Sequence, residues 1–407
     1  MIVEVKGMEV LDSRGNPTVA AEVTLEDGSR AVAIAPSGAS TGKFEAHELR
    51  DGGDRYGGNG VKKAVENINA VIAPALKKLG TLNQKQIDRE LCSVDGTPDK
   101  SHLGANAMLA VSMATARAAA RHYRVPLYRY LGGISGLRLP TPMMNILNGG
   151  AHAANNIDIQ EFMIVPQKGS FSEKLRAGAE VYHALGTVLK AAGKSTGVGD
   201  EGGFSPDLQD DREVIEYIIK GISTAGYTTD DIKIALDVAS SEWFENGEYR
   251  LPKSGEKLTS HELCEKISAL CRDYPIISVE DGQAEEDYSG WKTMTEKLGG
   301  RVLLVGDDLF VTNPERLKSG INQGIANSVL VKLNQIGTLT ETLKVIAMAR
   351  EAGYTPVISH RSGETEDTFI ADLSVAVGAE YIKSGAPCRT DRTAKYNRLL
   401  KIESELC

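Results

Sequence analysis

The chain has 407 residues, enough for two to three domains, or one large barrel with a smaller partner. It carries 46 Lys+Arg against 55 Asp+Glu, a net charge of −9 with no basic block, which argues against nucleic acid or an anionic membrane as a main partner. Charges already stand in Met-Ile-Val-Glu-Val-Lys at positions 1 to 6, and no uncharged run approaches the ~18 residues of a membrane helix. The five cysteines (Cys92, Cys264, Cys271, Cys388, Cys407) are scattered without a Cys-x-x-C pair, so we expect a soluble, unexported chain in a reducing cytoplasm.

Three alternating runs open the chain: Ile2 to Leu11, Thr18 to Leu25 and Arg30 to Ala35. The turn-forming Ser-Arg-Gly-Asn-Pro and Glu-Asp-Gly-Ser between them predict a three-stranded antiparallel meander. From Gly60 to Leu79 and from Gly104 to His122, apolar residues recur every three or four positions, which predicts two amphipathic helices. Residues 1–130 therefore read as an α+β domain. Glycines and a proline break every periodicity over 131–140, from Leu131 to Pro140, and mark a linker.

Beyond it, over 141–407, the texture changes. Short apolar runs each end in a polar, chemically able residue: Asp237, Glu280, Asp307, Lys332, His360 and Lys383. These ends are 43, 27, 25, 28 and 23 residues apart, with helix-like stretches such as Thr340 to Glu351 between them. Strand and helix repeating at this pitch predict an α/β, TIM-like parallel barrel of about 250 residues, in which reactive side chains collect at the C-terminal ends of the strands. An open doubly wound sheet has the same rhythm but rarely supplies six consecutive strand ends of this kind.

In a barrel, Asp237, Glu280 and Asp307 would converge from neighbouring strands. Three hard oxygen donors without Cys or His suit Mg²⁺ better than zinc. The next three ends carry Lys332, His360 and Lys383, and a lysine opposite a divalent ion can act as a base, its pKa pulled down by burial and nearby positive charge. Two other motifs lead elsewhere. Gly38-Ala-Ser40-Thr-Gly42 fits a nucleophile elbow but follows a meander rather than parallel strands. Gly193-Lys-Ser-Thr resembles the tail of a P-loop, but Val188 stands where its first glycine belongs.

Long strings then bring a resemblance: Asp12-Ser-Arg-Gly-Asn-Pro-Thr18, Ser37-Gly-Ala-Ser-Thr-Gly42, Asn148-Gly-Gly-Ala-His152, Gln160-Glu-Phe-Met-Ile164, Gly199-Asp-Glu-Gly-Gly203, Leu330-Val-Lys-Leu-Asn-Gln-Ile-Gly-Thr338, Ser359-His-Arg-Ser-Gly-Glu-Thr365 and Gly385-Ala-Pro-Cys-Arg389. The chain resembles the enolases from its first strand to its last residues. The resemblance implies an enolase-type barrel with a capping domain, and reversible dehydration of 2-phosphoglycerate to phosphoenolpyruvate with two Mg²⁺ per site.

It assigns Asp237, Glu280 and Asp307 to the first ion and Ser40 to the second. Lys332 would take the proton next to the carboxylate, while Glu201, assisted by Glu161, would protonate the departing hydroxyl. Lys383 would meet the substrate carboxylate, and Arg361 and Ser362 the phosphate, with His152, Gln160 and His360 also against the substrate. A homo-oligomer, dimer or octamer, is implied as well. Gln283, Asn59 and Ala154 depart from the usual family residues, and none of the three is a proposed ligand. A non-catalytic binder on this scaffold would not need every matched catalytic position filled by the expected residue type.

Overall fold

A computed structural model describes residues 1–38, 42–134 and 137–406. Strands β1 (Ile2–Leu11), β2 (Pro17–Leu25) and β3 (Arg30–Ile34) form the expected antiparallel meander. Val10 pairs with Thr18 and Val23 with Ala31. Asp12 makes the first turn, its Oδ1 accepting from the backbone N–H of Arg14 and Asn16 at 2.8 and 2.9 Å.

One helical rod runs from Lys62 to Leu79, with a π-helical stretch at Asn67–Ile72. Asn67 there donates to the His102 and Leu103 carbonyls, and Asn69 accepts from the Gly7 N–H, so both side chains serve tertiary contacts. The Ala105–His122 helix packs on β2 and β3 and is buried along nearly its whole length, which its many alanines permit. Two helices go beyond the sequence reading. Gln84–Asp95 starts at an Asn83 cap, and Leu127–Gly132 runs two residues into the stretch expected to be linker.

The barrel begins with β4 (Thr141–Asn148), β5 (Glu161–Pro166) and β6 (Ile232–Asp237). A small three-stranded sheet, β7 (Phe244–Glu245), β8 (Glu248–Arg250) and β9 (Lys257–Leu258), stands outside it. Then come β10 (Ile276–Glu280), β11 (Leu303–Gly306), β12 (Ser328–Val331), β13 (Thr355–Ser359) and β14 (Tyr381–Lys383). The closed order is β10-β11-β12-β13-β14-β4-β5-β6.

The expected all-parallel barrel is corrected at one strand. β5 is antiparallel to both β4 and β6, with Glu161 opposite Asn148 and Asp237. A short excursion returns the chain after β4 without a crossover helix, so β5 has to run backwards. Its first residue therefore lies at the mouth where the other strands end.

Side-chain parity then decides what reaches that mouth. Met143, Met163, Val165, Ala235, Val305 and Leu330 fill the barrel interior. Alternate residues of a strand share a face, so the next inward positions are Asn145, Glu161, Asp237, Asp307 and Lys332. Apolar residues close the barrel below, and polar ones crown it.

The N-terminal unit docks on this crown. Arg117 grips Asp367 in a two-pronged pair at 2.6 and 2.8 Å, Ser37 bridges Gly363, and the Ala46 N–H donates to the Gln335 carbonyl. Asp88 clamps the unit to the barrel by accepting from Ser112 Oγ and from the Thr340 backbone, the start of the Leu339–Glu351 helix. No helix among the described residues is long and apolar enough to cross a membrane.

Candidate active site

One polar cavity opens at the barrel mouth. His152, Gln160, Glu161, Glu201, Asp237, Asp307, Lys332, His360, Arg361, Ser362 and Lys383 line it, joined by Asp281 and Asp308. Glu280 joins through Lys383, whose ammonium lies 2.9 Å from both of its oxygens, 2.9 Å from Asp237 and 3.1 Å from Glu161. All the residues picked from the sequence for this site come together here except Ser40, which lies outside the described residues.

Glycines shape the loops that bring two of them in. A Cβ on Gly149, ahead of the turn carrying His152, would stand 2.4 Å from the Ile159 carbonyl. Gly202, beside Glu201, has φ +85° and would press a Cβ to 2.8 Å from the Cys388 carbonyl. Tyr182 fixes the same turn by donating its hydroxyl to the Gly202 carbonyl at 2.8 Å.

Charge is distributed unevenly around the cavity. Burial, followed by the Glu201 charge, pushes Glu161 well above the usual carboxylate range. Burial would raise Glu201 too, but it faces His360, His152, Arg392 and Lys383 and is held well below that range. The two environments push the acids apart, Glu161 toward the protonated form and Glu201 toward the ionised one. His152 Nδ1 faces both acids, at 3.5 Å from Glu161 and 3.9 Å from Glu201.

Burial and Asp237 likewise push Glu280 up. Lys383 is held well above its ordinary value, because Asp237, Glu161 and Glu280 outweigh its desolvation. Lys332 meets two opposed influences. Burial does favour the neutral amine, but the Asp307 carboxylate 2.5 Å away outweighs it and holds the pKa above normal.

These carboxylates can hold a cation. Asp237, Glu280 and Asp307 are 4, 2 and 8 % exposed and arrive on adjacent strands. With Glu161 and Glu201 they outnumber the two lysines among them, so the buried acid exceeds its resident counter-charge. An all-oxygen, anionic set of this kind fits Mg²⁺. Among the described residues, two groups bring possible ligand atoms within 4.8 Å of one another: His152, Glu161 and Glu201, and Asp281, Asp307 and Asp308. Asp281, however, spends both oxygens on the Asp307 and Asp308 N–H groups, at 3.0 and 2.8 Å. It holds the turn that aims Asp307. Burial, then Asp307, pushes Asp308 up to about 8.

Family models match both halves of the chain: "Enolase, N-terminal domain" over residues 2–131 and "Enolase, C-terminal TIM barrel domain" over residues 136–407. The chain belongs to the enolase family. Enolase-superfamily members use Mg²⁺, which accords with the donor set at this mouth.

Against the enolase frame, several residues at the site went unread in the sequence. Asn145 donates to Glu201 Oε2 at 3.0 Å, Gln335 donates to Asp307 at 2.8 Å, and Glu45 pairs with Arg361 at 2.8 Å. Asn145 had a signal, a polar residue inside the apolar run Met143 to Leu147. Gln335 lay inside the motif string Leu330 to Thr338, and Glu45 had no signal. Gln283, one of the departures, is fully buried and satisfied, accepting from the Tyr249 hydroxyl and donating to the Ser260 carbonyl.

Proposed function

We propose that this protein is a Mg²⁺-dependent hydro-lyase that interconverts 2-phosphoglycerate and phosphoenolpyruvate. The observation that carries the reading is the placement of Lys332, the base in this reading, and Glu161, the partner of the acid Glu201. Lys332 follows β12 and Glu161 begins β5, and these strands are four places apart in an eight-stranded ring. They face each other across the mouth. Removing a proton from one face of a substrate and a hydroxide from the other needs a base and an acid on opposite walls.

In this reading Asp237, Glu280 and Asp307 hold one Mg²⁺. A divalent ion held there would offset the second negative charge that builds on the substrate carboxylate and would compete with Lys332 for the Asp307 charge. One lysine ammonium alone would offer only about 4 kcal/mol at 4 Å and an effective dielectric near 20. Lys332, then left with burial and the facing Arg361 and Lys383 charges, favours its neutral form and takes the proton beside the carboxylate. The proton resident on Glu161 and Glu201 goes to the departing hydroxyl. Lys383 orients the substrate carboxylate, Arg361 and Ser362 bind the phosphate, and His152 and Gln160 border it.

Ser40 is assigned to the second ion. The wider expectations go with this activity: a step of glycolysis and gluconeogenesis, a cytoplasmic setting, a homo-oligomer, and a division into residues 1–130, 131–140 and 141–407.

The test is direct. Protein stripped of metal by a chelator is mixed with 2-phosphoglycerate, and Mg²⁺ is then added. Ultraviolet absorbance of the enol phosphate is expected to grow only after the addition. Burial favours the protonated form of Glu280, so a cation bound there competes with protons. The Mg²⁺ concentration for half-activation should therefore rise about tenfold for each pH unit lowered while one proton is released. Absorbance that never grows, or inorganic phosphate released in its place, contradicts the proposal.

A further inference from the structure

Arg392 lies in the Thr390–Leu406 helix and is fully buried. Its Nη1 reaches His360 Nδ1 at 2.5 Å and the Arg361 carbonyl at 2.6 Å. Its Nη2 reaches the Ser362 carbonyl at 2.6 Å and the Asp200 carbonyl at 3.1 Å. Asp391 stands 2.8 Å from Nε as counter-charge.

A guanidinium only donates hydrogen bonds and keeps its proton in a protein. His360 Nδ1 must then accept, which leaves the ring proton on Nε2. That nitrogen lies 3.5 Å from Glu201 Oε2. A proton on Nδ1 would set donor against donor and imidazolium against guanidinium. We propose that Arg392 is a positioning residue that locks His360 in its neutral Nε2–H tautomer and so aims a neutral donor at Glu201 Oε2.

Asn145 Nδ2 approaches the same oxygen at 3.0 Å. Oε2 is thereby held by two neutral groups, and Oε1 is left facing His152. The Asp200 contact ties down the residue before Glu201, so one guanidinium sets both the loop and its partner ring. His360 is faced by Glu201 from its loop, Arg392 from the C-terminal helix, Lys383 from β14 and Lys332 from the end of β12, and burial keeps it neutral. The part played by Glu201 rests on the dehydration proposed above, whereas the tautomer does not.

The experiment is a two-bond ¹H–¹⁵N correlation spectrum of protein carrying ¹⁵N-labelled histidine, with the His360 signal assigned by its loss in His360→Gln. Wild type is expected to show His360 neutral and protonated on Nε2 throughout pH 6 to 8. Arg392→Met should release Nδ1, so that the neutral ring populates the Nδ1–H tautomer beside the Nε2–H form. Arg392→Lys, which keeps one donor, should restore the wild-type tautomer. In Arg392→Met, kcat should fall about tenfold with KM within about threefold, because the ring no longer presents a fixed donor to Glu201, and Arg392→Lys should recover it. Wild-type His360 protonated on Nδ1, or doubly protonated at neutral pH, overturns the proposal, and this holds even if Arg392→Met fails to fold. A folded Arg392→Met with an unchanged tautomer overturns it too. If wild type does not dehydrate 2-phosphoglycerate, the role of Glu201 falls, and the spectrum still decides the tautomer.

Discussion

Lys332→Ala should lower the rate of dehydration by about 10⁴-fold, the upper range for loss of a positioned general base. Its backbone is held independently of its amine, since the Lys332 N–H donates to Thr312 Oγ1 at 2.9 Å. The truncation therefore removes the base without moving the strand end. It also frees Asp307, so Mg²⁺ affinity should hold or strengthen. The informative measurement is exchange of the hydrogen on the second carbon of 2-phosphoglycerate with solvent deuterium. That exchange should vanish with the amine. Exchange at the wild-type rate would remove Lys332 as the base.

Glu201→Gln should separate the two half-reactions. The glutamine is isosteric, and the turn that carries it is fixed by Tyr182, by Arg392 and by the bond from the Gly199 N–H to the Gly203 carbonyl. Proton removal by Lys332 on the opposite wall should continue, so hydrogen exchange persists. Loss of hydroxide should slow by about 10³-fold, because glutamine cannot pass on the proton that rests on the pair with Glu161. A dehydration rate equal to wild type would rule out Glu201 as the acid.

How far these roles could be read before the fold was known depends on the kind of residue. Asp237, Glu280, Asp307, Lys332 and Lys383 were legible because each ends an apolar strand and breaks its hydrophobicity, and a barrel allows such residues one common place. Glu201 and Arg361 lie in loops without periodicity, and only the long motif strings singled them out. β4 and β5 were not read as strands. All eight residues of Thr141–Asn148 are buried, so no alternation marks the run. The reversed direction of β5 has no local signal, since it follows from closure of the barrel. Arg392 could not be found by pattern, because a buried arginine on a terminal helix looks like any charged helical residue until the loops it holds are in place. The hold of Asp307 on Lys332 was illegible for a similar reason. Burial was foreseeable, but the contact ion pair with Asp307 needed coordinates.

The central claim is that acid and base act from opposite walls of one mouth, and the stereochemistry of the reaction tests it most directly. Phosphoenolpyruvate deuterated in one of its two positions on the third carbon is hydrated by the enzyme in heavy water, and the configuration of the 2-phosphoglycerate formed is read by NMR. Hydrogen and hydroxyl added to opposite faces, giving a single diastereomer, is the result this geometry predicts. Addition to the same face, or a mixture of both diastereomers, would contradict it.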